Sequence, residues 1–195
     1  MQVSIFNSCA VGYNSMLVRC FNCKKEIVAP QVQYDISELV LRGMKYEDSI
    51  ELLQHLTLST YCNDCKIQHV PGISEIQRLF PQRDYTPIIN GLLNGTTIFP
   101  QLQAINDLGS HPDIQLLSED PVCSFCNHPI VCNDSFRELI FESLSQMGAE
   151  FHIIETISLA TSCTKDVCRT KFQNLLSLFP NHNLKINKTQ TISKC

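Results

Sequence analysis

The chain has 195 residues, 44% of them apolar, and a net charge of −4 at neutral pH. That length allows one or two domains, and the acidic balance argues against a general polyanion-binding surface. No stretch approaches 18 consecutive apolar residues, which excludes a helical membrane span.

In chain order, residues 1–17 form an N-terminal segment without the basic start and apolar run of a secretory signal. The eleven cysteines are therefore expected to be reduced, in a cytosolic or nuclear setting. A first module is expected over 18–82, opening on the knuckle Arg19-Cys-Phe-Asn-Cys-Lys-Lys-Glu-Ile27. A helical region should follow, broken at Gly43 into two short helices. A strand over Leu53–Tyr61, where apolar residues alternate with His55, Thr57 and Ser59, then delivers Cys62-Asn-Asp-Cys65. A terminal helix ends at Leu79-Phe-Pro81.

Residues 83–120 form a connector. Leu92, Leu93, Ile98, Leu102 and Ile105 make it too apolar for a flexible tether, and a packed helix is expected within 95–108. Its leucines are either buried between modules or line a groove for a partner. The second module, 121–182, opens on Val122-Cys-Ser-Phe-Cys-Asn-His-Pro-Ile130. Asp134 as N-cap, Phe136, Leu139, Ile140 and Leu144 at helical spacing, and Gly148 as a stop predict a helix. A strand over His152–Ser162 then delivers Cys163-Thr-Lys-Asp-Val-Cys168, and a helix over Lys171–Leu178 closes the module. The tail, 183–195, reads as polar and loosely ordered.

The cysteines carry the chemistry. Cys20, Cys23, Cys62 and Cys65 form one set of two close pairs, and Cys123, Cys126, Cys163 and Cys168 form the other. The pairs are 38 residues apart in the first set and 36 in the second. Four thiolates in two pairs suit a tetrahedral zinc ion, so two structural Zn2+ per chain are expected. Cys9, Cys132 and Cys195 are left over, and Cys132, His128 and Cys195 are the candidate substitute ligands. Modules of this size seldom stabilise themselves by apolar burial alone. A structural zinc site adds on the order of 10–16 kcal/mol.

The flanks recur as well. A shift of about 101 residues lays Leu53, Leu56 and Leu58 over Ile154, Ile157 and Leu159, and Leu79-Phe-Pro81 answers Leu178-Phe-Pro180. The fold class expected is thus α+β, with two tandem, internally duplicated zinc-binding modules (knuckle, helix, strand, knuckle, helix) joined by a partly helical connector. Catalysis is not expected. A closed set of four cysteines leaves no coordination position for an activated water, and the chain has neither a His-Glu-x-x-His motif nor a Gly-rich phosphate loop.

This order resembles the papillomavirus early protein six family of viral adaptors. The similarity lies in Leu17-Val-Arg-Cys-Phe-Asn-Cys-Lys-Lys25, Tyr34-Asp35, Asn94-Gly-Thr-Thr97, and Cys126-Asn-His-Pro-Ile-Val-Cys132 with Arg137 and Leu139. The chain differs from the family in its longer gaps between cysteine pairs, its acidic charge, and Val122 where some members carry arginine. The resemblance implies a non-enzymatic oncoprotein-like adaptor, a monomer or weak dimer in the host cytoplasm and nucleus. It would clamp short amphipathic, leucine-rich helices of host proteins, with Leu92, Leu93, Ile98 and Leu102 as the trough, and redirect them to a ubiquitin ligase or a coactivator. The alternative is a zinc-dependent nucleic-acid-binding regulator. Its basic residues (Arg19, Lys24 and Lys25 at one knuckle, Lys165, Arg169 and Lys171 near another) are scattered rather than gathered on one face.

Overall fold

The computed structural model describes residues 3–4, 18–28, 31–43, 50–95, 115–116, 121–131, 134–147 and 150–179. Its centre is one antiparallel sheet of four strands in the order β3-β2-β5-β6. These are β2 (Val32–Gly43), β3 (Ile50–Cys62), β5 (Ser135–Met147) and β6 (Glu150–Ser162). Two short strands, β1 (Val3–Ser4) and β4 (Gln115–Leu116), pair with each other. Helices α1 (Val70–Leu79), α2 (Thr86–Asn94) and α3 (Asp166–Leu176) complete an α+β fold.

The helices expected after each knuckle are strands. Phe136, Leu139, Ile140 and Leu144 lie on β5, and the region broken at Gly43 is the single strand β2. Tyr34 and Asp35, read as opening a helix, are also in β2. The physical reason is position. β2 and β5 are the two central strands, and Ile36, Leu41, Phe136, Leu139, Ile140 and Phe141 are buried on both of their faces. A strand covered on both sides loses the clean alternation that marks a half-exposed one, so its apolar positions mimic a helix. The strands expected at Leu53–Tyr61 and His152–Ser162 are present as β3 and β6. Their polar residues alternate with apolar ones along the sequence, even though Ser59 and Glu155 are themselves buried. The closing helix is present as α3, starting earlier than expected, at Asp166. The helix expected within 95–108 falls, beyond Gly95, on residues outside the described ones, and the connector's described helix is Thr86–Asn94. Pro87 sits in its first turn, and Gly95 caps it at φ 69°, a left-handed conformation that glycine adopts without strain. Residues 96–114 lie outside the described residues.

The sheet runs through both halves of the chain, because β2 pairs directly with β5. Ser37 faces Ile140 at the middle of that pairing. Register shifts fall after Ile36 and Val40 in the β2–β3 pairing, and after Leu139 and Ser143 in the β5–β6 pairing. The main core lies between one sheet face and the helices. Ile36, Leu58, Leu139, Phe141 and Leu159 pack there against Ile73, Ile76, Ile88, Leu92, Phe172 and Leu175. Phe125 of the second knuckle joins it, in edge contact with Phe80 at 5.4 Å and Phe172 at 6.5 Å. Tyr85 Oη and Arg83 both donate to the Leu159 carbonyl and so tie the connector to edge strand β6.

Two side chains test this packing. Gly72 of α1 lies against Phe179, so a Cβ at position 72 would stand 2.5 Å from the Phe179 ring. Phe179 is itself 3% exposed and has little room to yield. Gly72→Ala gains helix propensity of about 1 kcal/mol, but overpacking costs about 1–3 kcal/mol. A net loss on the order of 1 kcal/mol is expected in urea unfolding, relieved when Phe179→Leu is added. His69, fully buried between Tyr61, Phe141 and the Tyr34 carbonyl, gives a pH test. A carbonyl can only accept, so Nε2 carries the hydrogen and Nδ1 is left a bare acceptor. Burial pulls the imidazole down to about 4, only partly offset by the Tyr34 carbonyl. A depressed imidazole value means that stability is present above the unfolded value near 6.5 and lost as pH falls toward 4. The loss is on the order of 3 kcal/mol. Imidazole nitrogen shifts of His69 should report a neutral ring down to pH 5.

Candidate metal centres

Each cysteine set is assembled from two directions. In the first, Cys20 and Cys23 lie on a tight knuckle closed by the backbone bonds Cys20 N to Lys25 O, Lys24 N to Cys20 O and Ile27 N to Val18 O. Lys24 takes φ 61° to close it. Cys62 ends β3, and a turn (Cys65 N to Cys62 O) brings Cys65 back before the 3-10 turn Lys66–His69. The second set repeats the construction. Cys123 N bonds His128 O, Asn127 N bonds Cys123 O at φ 53°, and Ile130 N bonds Pro121 O. Each knuckle is also tied to the neighbouring strand, through Phe21 N to Thr60 O and Ser124 N to Thr161 O.

The second pair of this set is spaced differently. Cys163 follows β6, but Cys168 sits in the first turn of α3, and the two extra residues are taken up by the bend entering that helix.

The eight expected ligands converge into two groups, in each of which all four sulfurs lie within 4.8 Å of one another. Cys23 Sγ is 3.8 Å from Cys62 Sγ, and Cys126 Sγ is 3.8 Å from Cys163 Sγ. Sulfurs about 2.3 Å from a central tetrahedral ion stand about 3.8 Å apart, whereas a disulfide would hold them at about 2 Å. All eight are free thiols. The geometry therefore fits two metal ions and excludes the disulfide alternative for these cysteines. His128 is exposed, its Nδ1 rests on the Cys126 carbonyl at 2.8 Å, and it belongs to neither group. Cys9, Cys132 and Cys195 lie outside the described residues.

The electrostatics favour a cation. Burial raises the Cys20 and Cys123 thiols, but backbone amides aimed at them outweigh it and bring each down to about 7. For Cys20 the amides are those of Cys62, Cys23 and Asn22, and for Cys123 those of Cys163, Phe125 and Cys126. Burial and the neighbouring sulfurs push Cys62 and Cys168 up to about 12. Each group thus prepares one thiolate and resists a second, at Cys62 and at Cys168. Four thiolates coexist there only when a bound cation supplies the missing charge.

Of the expected trough residues, Leu92 is buried in the main core at 2% exposure, whereas Leu93 is half exposed. Ile98 and Leu102 lie outside the described residues. Sequence reading missed the Asn22 amide, which donates to Cys65 Sγ at 3.4 Å. An Asn inside a Cys-x-x-Cys turn was the available signal. No family model, curated protein or solved structure matches the chain.

Elemental analysis of metal-replete protein should return two ions per chain. Cys20→Ser should lose one ion and lower the melting temperature while the second site stays loaded, because one lost thiolate removes most of a site's binding free energy. A variant retaining two ions and the wild-type melting curve would contradict the assignment.

Proposed function

We propose that the chain is a non-enzymatic zinc-stabilised adaptor, built by internal duplication, that binds a short amphipathic helix of another protein. The observation that carries the proposal is the closed geometry of both cysteine groups. Four thiolates at tetrahedral spacing favour Zn2+ over the hard cations, which prefer oxygen. They also leave no position for substrate or water, so each ion shapes the surface rather than doing chemistry.

Duplication is supported by the matching knuckle bonds, the paired left-handed residues Lys24 and Asn127, and register shifts in both hairpins. A protein partner is supported by Leu93 on α2, with Ile67 and Leu79 likewise exposed on neighbouring elements that pack against it. Apolar side chains grouped on a helical surface suit helix-in-groove recognition. The sequence resemblance extends the proposal to a viral adaptor in the host cytoplasm and nucleus that recruits a ubiquitin ligase or a coactivator. That extension rests on the knuckle and connector motifs alone.

The test uses zinc-loaded full-length protein and fluorescent helical peptides of the Leu-x-x-Leu-Leu type. Binding in the micromolar range is expected, weakened at least tenfold by Leu93→Glu with the melting temperature unchanged. Absence of peptide binding, together with duplex DNA binding that falls steeply with salt, would replace the adaptor with the nucleic-acid reading.

A further inference from the structure

The seam between β2 and β5 carries an acid pair that metal binding does not use. Asp35 on β2 and Glu142 on β5 are direct cross-strand partners. Their side chains therefore share a face about 5 Å apart at Cβ, where like charges are destabilising. Both residues are buried, at 5% and 4% exposure. The row continues outward to Thr60 on β3 and Thr156 on β6. Asp35 Oδ2 accepts from Gln33 Nε2 at 2.9 Å. Asp35 Oδ1 and the buried carbonyl oxygen of Gln33, itself 7% exposed, find no hydrogen-bond partner. Two buried acceptors without a donor mark a place that lacks a proton rather than a second anion.

The charges around the pair do not balance two carboxylates. From β3, His55 Nε2 approaches Glu142 Oε2 to 3.4 Å, an ion-pair distance. From β5, the other acid on this face is Glu138, which has its own hydrogen bond from Ser158 and the charge of Arg83 near it. The guanidinium of Arg137 is engaged with Glu38 on the opposite face. On β6, Thr156 and Ser158 carry no charge. One imidazolium therefore serves one carboxylate, and the other must be neutral to remain buried.

We propose that the Asp35–Glu142 pair retains one proton near neutral pH, and that losing this proton loosens the β2–β5 seam that joins the two cysteine-bearing halves. The proton resides on Asp35, and His55 stands at ion-pair distance from Glu142. Burial, with the charge of Glu142, lifts the Asp35 carboxyl to about 7 against the hydrogen bonds of Thr60 and Gln33 and the charge of His55. Burial opposes charging of His55, but the hydrogen bond and charge of Glu142 together with the charge of Asp35 outweigh it and raise the imidazole. A carboxyl raised in the folded state stabilises fully below its unfolded value near 4, and this contribution is lost as pH rises through about 7. The device is independent of what the adaptor binds.

The test compares zinc-loaded wild type with Asp35→Asn between pH 5.5 and 8.5. The folding equilibrium constant of the wild type, relative to the variant, should fall roughly 30-fold across that range. Amides bonded across the seam should exchange faster in the wild type than in the variant above pH 7. Carboxyl carbon shifts of Asp35 in the wild type give a reading that does not depend on the variant folding, and a midpoint near 7 is expected. A midpoint near 4, or a stability ratio that does not change with pH, would overturn the proposal.

Discussion

Thiols held within 4.8 Å of one another in two groups are the constraint on which the rest of the molecule turns. Buried sulfurs that close resist ionising together, and a divalent ion reverses that balance. The four points each ion would join are structurally distant. A knuckle at one end of the first half meets the end of β3 and the turn leading into α1, and the second knuckle meets the end of β6 and the start of α3. One ion therefore fixes the length of an edge strand, the angle of a knuckle and the entry of a helix at once. Without it, little beyond the sheet would hold the knuckle loops, since the cluster around Cys20, Ile27 and Tyr61 is small.

The second constraint is the seam. β2 and β5 each carry an edge strand on their outer side, so pairing them gives a continuous sheet in which both interior strands are fully bonded. Edge strands with open hydrogen-bonding groups invite unwanted pairing. Here the edges are partly covered by the knuckle amides of Phe21 and Ser124, and on β6 by Arg83 and Tyr85. The cysteine-bearing knuckles thus cap the sheet as well as supply candidate ligands. Across the helical face of the seam the Arg137–Glu38 pair sits close to the core, and across the other face sit Asp35 and Glu142. The joint is polar on both sides, unlike the apolar packing between sheet and helices. Its strength consequently depends on protonation in a way that the core does not.

What could be read from the sequence follows from this layout. The ligands were legible because coordination demands residue type and spacing, and those survive in one dimension. The edge strands β3 and β6 were legible because His55, Thr57 and Ser59 alternate with apolar neighbours in the sequence, although Ser59 is fully buried. The central strands were not. With both faces covered, Phe136, Leu139, Ile140 and Leu144 fall at spacings that serve a helix equally well, and only the pairing of β5 between β2 and β6 decides the matter. The pairing of the halves was illegible for the same reason, since register is a relation between segments. Buried polar residues gave a partial signal. Asp35, Glu138 and Glu142 are acidic, yet they lie inside because the strands that carry them are central.

The two halves are alike in construction but differ in what their knuckles do. Position 22 is Asn, and its amide donates to Cys65 Sγ, so the first loop turns inward on its own sulfur group. The corresponding position in the second knuckle is Phe125, which cannot donate and instead packs its ring between Phe80 and Phe172. The sulfur of Cys123 there receives a backbone amide, that of Cys163, at 3.5 Å. A side-chain donor in one half thus stands where the other half has an aromatic anchor. The second knuckle is bound to the shared core through Phe125, whereas the first, with Lys24 over the Phe21 ring and Phe21 against Tyr61, packs locally. Asymmetry of this kind follows from joining two similar halves in one chain. Only one knuckle can meet Phe80 at the end of α1, and the other is left to pack locally.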